Sequence, residues 1–353
     1  MLSFNEILEK VEHEISQLSF EYPPKSLYDP IEYILSLGGK RIRPALALMA
    51  CNLYKENIDN VINPALGVEV FHNFTLLHDD LMDKADKRRN KPTVHKVWND
   101  NTAILSGDAM LIAAYQLIGK TEPDYLKEVF DLFTETALEI CGGQQYDMEF
   151  ESRMDVTEPE YIEMIRLKTA VLLACSLKIG AITGGASKED AANLYDFGIN
   201  IGLAFQLQDD LLDVYGDTAT FGKNIGGDIT CNKKTFLLIH AFELASPEQK
   251  AVLNDWIGKT TFVAAEKIEA VTAIYNELHL KDITIAKMQG YYDKAMEHLS
   301  RLNVAPEKLN ILKEVSNRLM YRQSYKNETH RYAQPFVSGR FRSGTRGTGK
   351  RCP

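Results

Sequence analysis

Two short acidic runs carry the most legible chemistry in the chain. His78-Asp79-Asp80-Leu81-Met82-Asp83 gathers three carboxylates in little more than a helical turn, and Gln208-Asp209-Asp210-Leu211-Leu212-Asp213 repeats the pattern farther along. On a helix, residues four apart share a face, so Asp79 and Asp83 point the same way, as do Asp209 and Asp213. Carboxylates placed like this repel unless a cation or a proton stands between them. Hard divalent ions such as Mg2+ take oxygen ligands and often join one or two carboxylates to a substrate phosphate. Arg88 and Arg89 follow the first run, and their planar forks of donors suit phosphate. The combination suggests an anionic substrate held through metal on one side and guanidinium on the other. One such run is as often a solvated helix end. Two copies, each closing an apolar helical stretch (Val70, Phe74, Leu77, Leu81; Ile199, Leu203, Leu207), are poorly explained that way.

Further cationic clusters belong to the same argument. Gly38-Gly39-Lys40-Arg41-Ile42-Arg43-Pro44 puts two glycines and three cations ahead of a proline that opens a helix, a natural anion site. Lys168-Thr169 lies in an otherwise aliphatic helix and is weak evidence alone, because lysine stems often lie along apolar surface. Phe221-Gly222-Lys223-Asn224-Ile225-Gly226-Gly227-Asp228 is glycine-rich and is followed by Lys233-Lys234-Thr235. It lacks the full Walker spacing and no strand precedes it, so it is not read as a P-loop.

The elements that must hold these residues read almost entirely as helix. Apolar residues recur at three- and four-residue spacing over 2–19, 30–37, 43–55, 61–83, 99–119, 124–141, 158–183, 189–215, 232–245, 247–258, 260–279, 283–302 and 306–325. Prolines fall between these stretches or in their first turns, where the missing N–H costs little. Nothing combines strict alternation with an Asn-Gly or Asp-Gly turn, so no hairpin is expected. The expected fold is all-α, a single-domain bundle of about a dozen helices over residues 1–325 around a central apolar cavity. The 353 residues, 45% apolar and 25% charged, provide ample core. From Ser338 onward Gly, Ser, Thr and Arg dominate, with five basic residues and no acid. Residues 326–353 are therefore expected to form a basic, disordered tail. The net charge of −9 argues against a nucleic-acid surface. Five cysteines (Cys51, Cys141, Cys175, Cys231, Cys352) without a CxxC pair read as reduced thiols of a cytoplasmic protein. No signal peptide or membrane-length apolar run is visible.

Taken in order, GGKRIRP, HNFTLLHDDLMDKADKRRNKPTVH, GDAML, GGQQYDME, KT, FQLQDDLLDVYGD and GKNIGGDITCNKKT resemble the motifs of the trans-isoprenyl diphosphate synthases, or polyprenyl synthetases. The resemblance spans 38–235 and implies head-to-tail prenyl transfer, in which an allylic diphosphate ionises and alkylates isopentenyl diphosphate. It implies Mg2+, three ions per site, on Asp79, Asp83 and Asp209, with Asp80, Asp210 and Asp213 as partial ligands or support. Arg88, Lys168, Lys223 and Lys233 would contact the allylic diphosphate. Lys40, Arg41, Arg43, His72 and Arg89 would bind the isopentenyl diphosphate. Thr169 and Gln206 would face the reacting carbons. A homodimer is the family expectation. Gln144 and Asp147 match a further element of the pattern and read equally well as a plain polar face, while His78 reads as packing. Asn90 stands where the family usually has glycine, and asparagine tolerates the left-handed backbone such a loop needs.

Phe74 and Thr75 lie one helical turn below Asp79, where a ring would block a growing tail and Thr75 leaves room beside it. With no two-residue insertion in the first acidic run, this resembles the short-chain geranylgeranyl type, favouring C20 over C15. A terpene cyclase would leave the GGKRIRP cluster and Arg89 unexplained. A non-catalytic subunit of a heteromeric synthase would not be expected to keep all six carboxylates.

Overall fold

In the computed structural model the helix that carries the first acidic run, α4 (Asp59–Met82), runs through the middle of the assembly. Val61, Ala65, Val68, Val70, Phe71 and Leu77 are all buried, and the acidic run occupies the C-terminal end of α4. The structure describes residues 1–216 and 225–320. Lys223, the glycine-rich stretch before Ile225, and the tail from 326 onward lie outside the described residues.

Two helices that are apolar on every side pack beside α4, as such helices must. These are α3 (Ile42–Tyr54), buried without a break from Pro44 to Leu53, and α9 (Val171–Gly184). They lie against one another, while α6 (Asp100–Ile118) covers the opposite side of α4. The second acidic run ends α10 (Lys188–Tyr215), which packs on α9 and on the helix Leu280–Ser300. Ser187 starts α10 by accepting the Asp190 N–H, and Asn99 starts α6 in the same way through Thr102. The amphipathic helices α1 (Phe4–Ser16) and α2 (Lys25–Ser36) close the side formed by α3, α4 and α6. A separate apolar cluster joins Val214 and Ile229 to Leu237, Leu253, Val271 and Tyr275. The all-α expectation holds, and no helix among the described residues is long and apolar enough to cross a membrane.

Four elements differ from the expectation. A short antiparallel hairpin does exist, β1 (Lys87–Arg88) with β2 (Lys91–Pro92). Arg89 (φ 51°) and Asn90 (φ 63°) are both left-handed, as a tight type I′ connection requires. An arginine in the first of those positions hid the signal. The helix α7 (Pro123–Ser152) runs past its expected end at 141, straight through Gly142-Gly143. The helix α2 begins at Lys25 and carries Pro30 inside it. The stretch 158–183 is not one regular helix but α8 (Glu158–Ile165), a π turn (Arg166–Ala170) and α9. Gly143 is where two of these meet. A β-carbon on it would lie 2.4 Å from the Lys168 amide nitrogen, so its small size lets α7 touch the π turn.

Candidate active site

Two carboxylates at the end of α4, Asp79 and Asp80, each meet a cation of the chain. Arg88, at the end of β1, grips Asp80 with both arms, Nε to Oδ2 at 2.6 Å and Nη2 to Oδ1 at 2.8 Å. Its Nη2 also stands 3.9 Å from Asp79 Oδ2. From the π turn, Lys168 Nζ reaches Asp79 Oδ1 at 3.2 Å and Asp147 Oδ2, on α7, at 2.6 Å. Burial alone would lower the Lys168 pKa, but Asp79 and Asp147 hold it above its ordinary value, so the ammonium is charged. Burial first and the Asp79 charge second push Asp83 up; Asp80 is likewise raised by burial, against the pull of Arg88. Asp147 is therefore part of the cluster and not of a plain polar face. His78, as expected, is a packing residue, its Nε2 3.1 Å from the Ile104 carbonyl.

The α10 side is more deeply buried. Asp210, 2% exposed, accepts from the Tyr161 hydroxyl of α8 and from Gln206 Nε2 at 3.2 Å. Gln206 Oε1 in turn accepts from Thr169 Oγ1 at 3.1 Å, which joins the π turn to the second acidic run. Burial raises the Asp210 carboxyl to about 7; Lys233 opposes the rise and Asp228 adds to it. Asp213 Oδ2 accepts the Asp228 backbone N–H at 2.9 Å and so secures the loop that carries Lys233. Burial opposes the charge on Lys233, but Asp228, Asp210, Asp147 and Asp79 together keep its pKa raised. That set includes carboxylates of both runs, so the ammonium lies between them.

A second cluster, of cations around a neutral histidine, lies at the start of α3. Arg43 Nη1 donates to His72 Nε2 at 3.1 Å. Since a guanidinium only donates, this histidine keeps its proton on Nδ1. Burial, with Arg43 and Arg89 next, holds the His72 pKa well below the ordinary value, and the ring is neutral. Burial lowers Arg43 to about 10, which leaves it charged near neutrality. Arg89 packs so near Gly39 that a β-carbon there would meet its Nη2 at 2.9 Å. Lys40 belongs to the same loop. Arg41 does not face this pocket. Its guanidinium turns inward to Glu69 Oε1 (2.7 Å), Glu12 Oε1 (3.1 Å) and the Leu35 carbonyl (2.8 Å). The expectation that it touches substrate is corrected on that geometry.

Below the first acidic run, the Phe74 ring lies 5.4 Å from Phe71 and 4.8 Å from the His78 ring, centre to centre. Thr75 Oγ1 bonds back to the His72 carbonyl at 2.8 Å. Sequence reasoning missed Glu69, Tyr161 and the partnership of Asp147 with Lys168. All three sit in helical stretches where nothing but a contact marks them out.

The donor chemistry fits a hard divalent ion. The carboxylates converge on protein ammonium and guanidinium groups, positions that another cation can take, and all their donors are oxygen. Among the described residues no three of them form a ready-made cage. Mg2+ does not need one, since it keeps water or phosphate oxygens in most of its coordination sphere.

An all-α bundle with two facing acidic runs, cations between them and a second anion pocket defines a diphosphate-handling protein. The chain matches the polyprenyl synthetase family over residues 24–278 and belongs to it. It is 40% identical over 291 residues to a geranylgeranyl diphosphate synthase of Methanosarcina mazei, covering 82% of this chain and 88% of that one. A crystal structure of a geranylgeranyl pyrophosphate synthase superposes with a TM-score of 0.85 at 44% identity, covering 92% of this chain and all of the other. A geranylgeranyl pyrophosphate synthase from Corynebacterium glutamicum, complexed with isoprenyl diphosphate and magnesium, gives 0.81 at 27% identity, covering 91% of this chain and all of its own.

Proposed function

We propose that this protein is a divalent-metal-dependent prenyltransferase that condenses isopentenyl diphosphate with allylic diphosphates to an all-trans C20 product. The observation that carries the reading is the pair of distinct anion sites. One mixes carboxylates with Lys168, Lys233 and Arg88; the other, Arg43, His72 and Arg89, offers only cations and neutral donors. One substrate thus meets metal and the other does not. A cyclase would need only the first site.

Bound Mg2+ would supply charge stabilisation for the departing diphosphate. Asp79, Asp83 and Asp209 would hold three ions, supported by Asp80, Asp210 and Asp213. Arg88, Lys168 and Lys233 take up the negative charge that grows as the allylic C1–O bond breaks, and being already in place they need little reorganisation; Lys223 would join them. Thr169 Oγ1 and Gln206 turn oxygen dipoles to the cation without capturing it. Lys40, Arg43, His72 and Arg89 fix the second diphosphate so that the isopentenyl double bond delivers its electron pair from C4 to the allylic C1. A proton then leaves C2 for the released diphosphate. The tail grows toward Phe74 and Thr75.

We propose a homodimer, supported by exposed apolar side chains on neighbouring helices, Leu105 and Ile112 on α6 with Phe130 and Leu138 on α7, between 40% and 70% exposed. Sedimentation at micromolar concentration tests it. The free cysteines Cys51, Cys141, Cys175 and Cys231 agree with a reducing cytoplasm. The direct test of function incubates the protein with Mg2+, labelled isopentenyl diphosphate and, separately, dimethylallyl, geranyl or farnesyl diphosphate. A C20 alcohol after dephosphorylation is expected. A C15 end product, or one longer than C20, overturns the chain-length reading, and diphosphate release without label incorporation points to a cyclase.

A further inference from the structure

The chain spends a buried ion pair where the cationic pocket begins, and the pocket itself does not use it. Arg41 occupies the left-handed region (φ 47°, ψ 30°), which a β-carbon disfavours, immediately before α3. Its side chain is 2% exposed and that of Glu69 is 3%. All three guanidinium nitrogens are engaged, by α4 through Glu69, by α1 through Glu12 and by the end of α2 through the Leu35 carbonyl. Glu69 is itself held by Asn73 Nδ2 at 3.1 Å.

The placement of the pair matters. Arg43 follows Arg41 by two residues, and His72 follows Glu69 by one helical turn. Two rungs therefore join the start of α3 to α4. The inner rung, Arg41–Glu69, is sealed from solvent; the outer, Arg43–His72, faces the proposed isopentenyl diphosphate. A buried arginine–carboxylate pair has a fixed length and direction, whereas aliphatic side chains would fill the same space with less desolvation cost and no such constraint.

We infer that Arg41 and Glu69 are positioning residues which set the register of Lys40, Arg43 and His72, and that Arg41 is no substrate ligand. The inference rests on the pocket assignment made above. The discriminating variant is Glu69→Gln, measured for both substrates by steady-state kinetics and by calorimetric binding of isopentenyl diphosphate alone. Positioning predicts that KM and Kd for isopentenyl diphosphate rise roughly tenfold or more, as for loss of a well-placed ionic contact. It also predicts that KM for the allylic diphosphate stays within about twofold. Direct ligation predicts the reverse, since freeing Arg41 from its carboxylate would leave isopentenyl binding unchanged or tighter. That result, or an equal rise in both KM values, overturns the inference. If Glu69→Gln does not fold, Glu69→Asp keeps the charge on a shorter arm, and the same split at smaller size is required of it. Wild-type protein that makes no condensation product would refute the proposed function itself, whereas an active wild type with an unaffected variant refutes only the pair's role.

Discussion

Replacing Asp210 by asparagine is expected to stabilise the unliganded protein, by an amount that grows with pH. The folded carboxyl titrates near 7, against an ordinary value of 3.8. As pH rises between those values the unfolded chain gives up its proton while the folded chain keeps it. The native state therefore binds more protons than the unfolded one, and stability falls with rising pH until the folded group has ionised. At about 1.4 kcal/mol per pKa unit, the full penalty above pH 7 approaches roughly 4 kcal/mol, an upper bound because a buried site relaxes around charge. Asparagine carries no charge, keeps an oxygen for Tyr161 and has nearly the same volume. Urea unfolding in the presence of EDTA, followed by circular dichroism, should show the Asp210→Asn advantage widening by roughly 2 to 3 kcal/mol between about pH 5 and about pH 8. A difference that stays flat or narrows over that range would refute the account of Asp210 as a carboxylate held in place at a cost in stability.

Asp79→Ala should lower kcat/KM by about a thousandfold or more through loss of a proposed metal ligand, and near-normal turnover would sink the assignment. Thr75→Phe should shorten the end product to C15; if C20 persists, the cavity floor lies elsewhere. Gly143→Ala should destabilise the protein by about 1 to 3 kcal/mol and depress kcat, since its β-carbon would stand 2.4 Å from the Lys168 nitrogen and 2.8 Å from the Leu167 carbonyl carbon. Unchanged melting and turnover would mean that the helices part without consequence.

What could be read from the chain was whatever has local periodicity or local charge. The apolar spacing around Asp79 and Asp209 identified the two helices, because helical phase is a near-neighbour property. The π turn was invisible for the same reason, since one extra residue in a turn breaks no apolar run in Ile162–Leu172. Arg89-Asn90 concealed a hairpin because a turn can accept arginine at positive φ when the paired strands hold it there. Arg41 was assigned by the company it keeps in the sequence, yet its direction is decided by Glu69 and Glu12, on two other helices. Tyr161 meets Asp210 across the bundle, and no spacing rule reaches that far.

The Arg41 anchorage also bears on how the protein comes to be competent. A guanidinium enclosed without its carboxylates is penalised by several kcal/mol, so the left-handed loop holds only once α1, α2 and α4 have all docked. The two carboxylates flank the loop in sequence, Glu12 on α1 lying 29 residues before Arg41 and Glu69 on α4 28 residues after it. A partly assembled bundle would keep its acidic runs and still present no ordered second pocket. The ion pair thus ties the loop that carries Lys40 and Arg43 to three helices at once, α1, α2 and α4.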